Sequence, residues 1–292
     1  MIIMVILEIP VGAGLGNQLF MYSLAYAIAK EKKQKILVIA YDYIQERPFI
    51  LDKMQLDEKY IYKIVKFRKK QKIKKHILRF ILSNLPNTKR LYRIKEDPRR
   101  KIDIENIKNK NVYIYGYFEC FEYFNKYKKE LTKQYKLKEL SKETKSILEK
   151  IQKSKSVALH IRRGDFVNVD RCINIKYYLK AIKKFDNSFT FYLCCEDEKI
   201  VKHFLKKKNF QIIKNSSNNK DLEDWYCLLN CQYHIIANST YSWWSAYLSD
   251  ASQNKRIIIP NKNEYYESEK RQVDGTYENF YNLNDKAYEE VI

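Results

Sequence analysis

Two adjacent arginines, Arg162 and Arg163, follow a short apolar run and are followed by Gly164 and Asp165. The run at residues 157–161 is typical of a buried strand, and the glycine indicates a turn directly after it. Ligands of an open α/β sheet bind beyond the carboxyl ends of its strands. Guanidinium groups match phosphate oxygens with paired hydrogen bonds. The segment therefore predicts an anion site, such as one for a nucleotide diphosphate. A surface Arg–Asp pair is the structural alternative.

A second polar turn follows the predicted strand 234–237 and contains Asn238, Ser239, Thr240 and Ser242. A helix is expected to begin within it, because serine and threonine are good helix caps. The free N–H groups at a helix start also attract phosphate. The hydroxyl groups can thus serve the cap or a ligand, and the sequence alone favours the cap.

A glycine-rich turn with Gly12, Gly14 and Gly16 follows the first predicted strand and precedes Asn17. A dinucleotide-binding fingerprint needs its third glycine at position 17, so this chain fits it poorly. The glycines are instead expected to let a sugar or phosphate approach the backbone. A plain structural turn is the alternative.

Acidic residues 196–198 follow the predicted strand 189–195. Acids at a strand end can hold a metal or accept hydrogen bonds from a base or ribose, and ordinary solvation is the alternative. The chain has no Asp-x-Asp pair, so a dedicated divalent-metal site for a sugar nucleotide is not expected. Arg162 and Arg163 would then have to stabilise the diphosphate charge.

The composition indicates a folded, strongly basic protein of 292 residues, with a formal charge of +21 and 45% hydrophobic residues. Such a charge favours an anionic partner, which can be nucleic acid, a membrane surface or a phosphorylated substrate. The six cysteines form no CxxC pair and resemble buried hydrophobic residues of a reducing compartment. No apolar run is long enough to span a bilayer. We expect a cytoplasmic protein, with contact at the inner face of the membrane as an alternative.

The order of elements predicts an α/β protein. Residues 2–40 read as strand, glycine turn, buried helix and strand, which is a βαβ opening. Beyond residue 150, apolar strand-like runs alternate with helical ones, which indicates a parallel sheet with helical crossovers. We predict two Rossmann-like domains facing a cleft, an N-terminal one at residues 1–150 and a C-terminal one at residues 151–292.

Residues 60–111 are strongly basic. Ile73, Ile77, Phe80 and Ile81 fall at helical spacing, which predicts a basic amphipathic helix. Its charged face is either simply solvated or docks on anionic lipid or a lipid-linked acceptor.

Three motifs together resemble those of the bacterial alpha-1,2-fucosyltransferase family, glycosyltransferase family 11. They match it in content and order and are residues 14–20 (GLGNQLF), 160–165 (HIRRGD) and 238–244 (NSTYSWW). A fourth, at residues 116–124, resembles the segment before that family's inter-domain link. The resemblance implies a GT-B-like fold and transfer of L-fucose from GDP-fucose, with inversion and without a metal or other cofactor. The implied acceptor is a glycan hydroxyl, the 2-OH of galactose.

The resemblance also implies roles for individual residues. Arg162 would hold the diphosphate, and His160 would lie near the nucleoside. From its position beside Arg162 and Arg163, and not from the resemblance, Asp165 is the candidate general base, with the orientation of an arginine as the alternative. The remaining residues expected to bind substrate are Gly14, Gly16, Asn17, Gln18, Arg163, Asp197, Asn238, Ser239, Thr240 and Ser242. Gly14 to Gln18 would belong to the acceptor side, and the nucleotide would lie on the C-terminal domain.

Two other classes of protein remain open from the residues alone. A protein that binds RNA or a membrane surface would explain the charge, but it leaves the motifs at the strand ends unexplained. An NAD-dependent oxidoreductase would explain the glycine turn, but it needs the glycine that Asn17 replaces.

Overall fold

The computed structural model describes residues 4–41, 47–67, 91–95, 102–107, 111–168, 172–205, 209–249, 256–261 and 289–292. The chain divides into two compact units, Met1–Lys136 and Leu137–Ile292. A domain boundary is expected near residue 150 from the sequence, whereas the second unit already includes a helix at Lys142–Gln152. The assignment of the acceptor to the N-terminal unit and of the nucleotide to the C-terminal unit stays a prediction.

The first unit contains a five-stranded parallel sheet in the order β3-β2-β1-β5-β4. Its elements are β1 (Met4–Ile9), α1 (Leu15–Lys32), β2 (Lys35–Tyr41), β3 (Ile61–Phe67), β4 (Leu91–Lys95), β5 (Asn111–Tyr115) and α2 (Lys128–Gln134). The predicted βαβ opening is confirmed.

The edge strands β3 and β4 lie within residues 60–111, where the sequence predicted no strand. Lysines interrupt the apolar residues of β3, and most of its side chains are only partly buried because it lies at the sheet edge. An edge strand carries a weaker apolar pattern than a central one. The predicted amphipathic helix at residues 73–81 lies outside the described residues.

Helix α1 is apolar around almost its whole circumference because it is covered on more than one side. It packs on β1 and β2. On another side its tyrosines meet the α2 region: the Tyr22 hydroxyl donates to Gln134 Oε1 at 2.7 Å and the Tyr26 hydroxyl to Glu130 Oε2 at 2.7 Å. A helix that is buried all round needs no polar face.

The second unit contains a six-stranded parallel sheet in the order β11-β10-β9-β6-β7-β8. Its elements are α3 (Lys142–Gln152), β6 (Lys155–Ile161), α4 (Gly164–Asn168), α5 (Ile175–Ile182), β7 (Phe189–Cys195), α6 (Glu198–Leu205), β8 (Phe210–Ile212), α7 (Lys220–Leu229), β9 (Tyr233–Ile235), α8 (Thr240–Leu248), β10 (Ile257–Ile259) and β11 (Glu289–Val291). This is the doubly wound order of a Rossmann fold. The predicted parallel sheet with helical crossovers is confirmed, while α4 and β11 were not predicted.

Strand β6 separates two apolar clusters, one on each face of this sheet. Val157, Leu159 and Ile161 pack into the cluster that contains α5 residues, and Ala158 packs into the cluster that contains α3 and α7 residues. Alternation along a strand produces this division. Both faces are buried, so β6 is held firmly and its carboxyl end is a fixed position.

None of the described helices is both long and apolar enough to cross a bilayer.

Candidate functional site

The predicted site residues of the second unit collect at one edge of its sheet. Strand β6 pairs in parallel with β7 on one side and β9 on the other, so the carboxyl ends of the three strands are neighbours. The segments that leave these ends are residues 162–165, 196–198 and 236–240. The chain reverses its winding direction between β6 and β9, and such a switch point is where doubly wound sheets bind ligands.

Arg162 is held on two sides. Its Nη1 atom donates to Glu196 Oε1 at 2.5 Å, and its Cζ atom lies 5.1 Å from the centroid of the Phe166 ring. Gly164 has a φ of +32°, and a Cβ at that position would lie 3.3 Å from Glu196 Oε1. The Gly164 turn therefore gives the Glu196 carboxylate room beside the guanidinium.

Arg163 is paired with Asp197, at 3.4 Å between Nε and Oδ2. Asp197 also caps α6, because its Oδ1 atom accepts from the backbone N–H groups of Lys199 at 2.9 Å and Ile200 at 3.3 Å. Burial opposes the ionisation of Asp197, but these N–H groups and the Arg163 charge outweigh it and lower its pKa. Asp197 is thus an ionised cap and counter-ion, and its predicted contact with a nucleotide stays a prediction.

His160 lies under the site as a buried, neutral imidazole. It is 4% exposed, and its ring centroid lies 5.0 Å from that of Tyr241 on α8. Burial, followed by the Arg162 charge, lowers its pKa to about 3. At neutral pH His160 therefore contributes no positive charge to an anion site. The predicted contact of His160 with the nucleoside would therefore be made by an uncharged imidazole ring, and it stays a prediction.

The turn after β9 is built by its own serines. Ser239 Oγ accepts from the Tyr241 N–H at 3.3 Å and caps α8, while Ser242 Oγ accepts from the Ala237 N–H at 3.2 Å. The capping role that the sequence favoured therefore describes Ser239, whereas Ser242 links the first turn of α8 back to Ala237. Asn238 is buried and Thr240 is partly buried beside them. The predicted ligand contacts of all four residues stay predictions.

Two tyrosines of α5 support this edge, and sequence reasoning missed both. The Tyr177 hydroxyl lies 2.8 Å from the carbonyl oxygen of Ile236, just after β9, and 3.0 Å from that of Ile258 in β10, so it links the helix to both strands. The neighbouring Tyr178 is fully buried. No sequence signal separates these tyrosines from ordinary core residues, because both fall on the apolar face of an amphipathic helix.

In the first unit, Gln18 fastens the glycine-rich turn. Its Nε2 atom donates to the carbonyl oxygens of Ala13 at 2.8 Å and Pro48 at 2.9 Å, and its Oε1 atom accepts from the Ile50 N–H at 3.0 Å. Both amide protons are therefore used inside this unit. The contacts give Gln18 a structural role, and its predicted contact with substrate stays a prediction.

The glycines of this turn differ in backbone conformation and in the space around them. Gly12 has a φ of +77°, in the left-handed region that favours glycine. Gly14, which precedes α1, has an ordinary φ of −64°, and a Cβ there would meet no atom of the described residues within 4 Å. Gly16 is buried and Asn17 partly buried within the first turn of α1. The space at Gly14 agrees with the expected backbone approach of a ligand and does not test it.

Asp165 lies on α4, but its side chain is outside the described part of the structure. Its roles as base or as orienting group stay alternatives. Within the described ranges, no cluster of three or more His, Cys, Asp or Glu side chains is arranged to hold a metal ion.

A partly buried acid, Asp224, lies on α7 near Tyr241. Its Oδ1 atom accepts from Asn215 N at 3.0 Å and Asn215 Nδ2 at 2.6 Å. Burial raises the pKa of Asp224 to about 6 in spite of these hydrogen bonds. The folded protein therefore holds this proton more tightly than the unfolded chain does, so the group's contribution to stability falls as the pH rises from about 4 to about 6.

We expect Asp224→Asn to remove this loss, since an asparagine oxygen can accept both hydrogen bonds. When the pH rises from 4.5 to 7.5, wild type should lose about 1–2 kcal/mol more of its free energy of unfolding than the variant does. This figure allows for the partial exposure of the group. Urea titrations at both pH values measure the difference. A difference that does not change with pH would contradict the raised pKa.

Comparison with known proteins now identifies the family. The family model described as glycosyl transferase family 11 matches residues 4–282. The chain belongs to glycosyl transferase family 11. Two relatives from Escherichia coli are an alpha-1,2-colitosyltransferase, 27% identical over 81% of this chain and 85% of the relative, and the O-antigen biosynthesis glycosyltransferase WbnK, 24% identical over 85% of this chain and 92% of the relative.

A solved structure with the same fold is NodZ alpha-1,6-fucosyltransferase soaked with GDP-fucose. It has a TM-score of 0.52 and 13% identity over 91% of this chain and 97% of that one. At this identity the likeness establishes the fold only. The predicted α/β, GT-B-like fold of this family 11 protein is confirmed, as is its assignment to the glycosyltransferases.

Proposed function

We propose that this family 11 protein transfers L-fucose from GDP-fucose to a hydroxyl of a glycan acceptor, the 2-OH of galactose, with inversion and without a metal ion. The observation that carries the proposal is Arg162, fixed by Glu196 and Phe166 beyond the carboxyl end of β6, at the switch point of the nucleotide-binding type of sheet. Family membership and the GDP-fucose-soaked neighbour support the donor.

The reaction is one displacement at the anomeric carbon. A bond forms from the acceptor oxygen to that carbon while the bond from the carbon to the GDP oxygen breaks. The sugar acquires oxocarbenium character, as in glycoside hydrolysis, and negative charge grows on the departing diphosphate. Arg162 is the fixed donor for that charge. The acceptor proton passes to a base, for which Asp165 is the candidate.

Metal independence is proposed because arginines take the position where a divalent ion would otherwise neutralise the diphosphate, and because the sequence has no Asp-x-Asp pair. Transfer that is insensitive to EDTA is the expected result. Transfer that requires added Mg²⁺ or Mn²⁺ would overturn this part of the proposal.

A second donor follows from the relative named alpha-1,2-colitosyltransferase. Colitose is 3-deoxy-L-fucose, so the two donors differ by one hydroxyl. A site that hydrogen-bonds this hydroxyl would reject colitose strongly, whereas an apolar site would discriminate weakly. Parallel assays with GDP-fucose and GDP-colitose decide between these two kinds of site. We expect GDP-fucose to have the higher kcat/KM.

The purified chain should be stabilised against thermal unfolding by GDP, and not by UDP, NAD or RNA at the same concentration, since ligand bound only to the folded state raises the Tm. Incubation with GDP-β-L-fucose and galactosides should then yield an α-1,2 linkage, read by NMR of the product. A β linkage would contradict inversion. Stabilisation by RNA with no transfer would favour the binding protein instead.

A further inference from the structure

Glu196 lies where it can direct the arginine on which the proposed function depends. Its Oε1 atom accepts from Arg162 Nη1 at 2.5 Å, although the Glu196 side chain is 49% exposed and that of Arg162 only 23%. A guanidinium is a rigid, planar fork with five N–H donors. Fixing one nitrogen to a carboxylate therefore sets the direction of the other donors.

Phe166 supplies the second restraint. The Arg162 Cζ atom is 5.1 Å from the ring centroid, within the range of a cation–π contact. An ion pair on one edge and a ring near the central carbon leave the guanidinium little rotational freedom. Bidentate recognition of a diphosphate depends on that plane.

The position of Glu196 follows from the pairing of two strands. In the β6–β7 register, Ile161 lies opposite Cys195, so the next residues along the chain are Arg162 and Glu196. Gly164 then passes close to the carboxylate without a Cβ to displace it. The pair is thus determined by the central strands of the sheet, and does not depend on chance contact between long surface side chains.

We propose that Glu196 is a positioning residue, which together with Phe166 fixes the Arg162 guanidinium for the diphosphate of the donor. This rests on the proposed function. The opposite hypothesis is that Glu196 is a competing anion, which the diphosphate must displace from Arg162. The two differ in sign, because removal of a competitor tightens GDP binding, whereas removal of a positioning group weakens it.

The test uses the full chain with Glu196→Gln, Phe166→Leu, Arg162→Lys and the double variant Glu196→Gln/Arg162→Lys. Glu149→Gln, an exposed acid on α3 of the same unit, is the charge-matched control. For Glu196→Gln we expect kcat with GDP-fucose to fall about tenfold and GDP affinity to fall about two- to threefold, since the leaving charge is greatest in the transition state. Phe166→Leu should show the same split between kcat and affinity, with a smaller loss.

In the Arg162→Lys background the Glu196 substitution should cost little more, since a lysine has no plane to orient. Residues that act through one another give such non-additive effects. A purely structural role would instead lower the Tm and add to the arginine effect. Tighter GDP binding or unchanged kinetics in Glu196→Gln would overturn the inference, and so would additive losses in the double variant.

The results for wild type and for Arg162→Lys distinguish a failure of the positioning role from a failure of the proposed function. If GDP binds wild type and Arg162→Lys impairs turnover while Glu196→Gln does not, only the positioning role is wrong. If GDP does not bind wild type, or Arg162→Lys turns over normally, the proposed function is wrong and the inference falls with it.

Discussion

Arg162→Lys should lower kcat for fucosyl transfer by about 10²–10³, which corresponds to about 3–4 kcal/mol of lost transition-state stabilisation for one preorganised donor. Lysine keeps the charge, but it lacks the planar fork that pairs with Glu196 and matches two diphosphate oxygens. The loss should therefore appear mainly in kcat. Initial rates at saturating acceptor and varied GDP-fucose measure it.

The fold should survive this substitution. The Arg162–Glu196 pair is partly exposed, and such pairs contribute about 1 kcal/mol or less. Arg256→Lys is the matched control, because Arg256 also lies beside a phenylalanine ring, that of Phe185. Arg256 directly precedes the amino end of β10, and its guanidinium donates to the carbonyl oxygen of Lys184. We expect the control to keep its activity. Near-wild-type turnover in Arg162→Lys would show that the diphosphate is held elsewhere.

Gln18→Leu should destabilise the protein by about 3 kcal/mol, because it leaves two carbonyl oxygens and one N–H of the first unit without their partner. For a protein of this size that corresponds to a fall of roughly 10 °C in the Tm of the transition that includes the first unit. The side chain is only 1% exposed, so water cannot easily replace the lost bonds. Thermal unfolding followed by circular dichroism measures the change.

Gln152→Leu is the control for this substitution, because Gln152 is exposed at the end of α3. Its Tm should stay within about 1–2 °C of wild type, as for most surface substitutions. A stable Gln18→Leu variant with lost transfer would reverse the assignment, since Gln18 would then serve substrate and not the turn. Loss of stability with activity retained at low temperature would support the structural role.

Much of the fold follows from local signals in the sequence. The apolar runs of β1, β2, β6 and β7 are buried on both faces, so they remain visible without knowledge of their neighbours. Caps are equally local: Ser141 precedes α3, and its Oγ atom accepts from the Thr144 N–H at 3.1 Å. Edge strands β3 and β4 escaped because their partly exposed residues carry a weaker pattern.

The sequence by itself determined the α/β class, the parallel alternation of the second half and the arginine turn after β6, because each depends on residues close together in the chain. Only the tertiary structure decided that Arg162 is paired with Glu196, that Gln18 holds the glycine turn to residues 48–50, and that His160 is neutral. The physical reason is that strand register, burial and hydrogen-bond partners depend on which distant segments pack together. A residue's type can suggest a role in chemistry, but its packed neighbours decide whether the side chain is left for a ligand or is used by the fold.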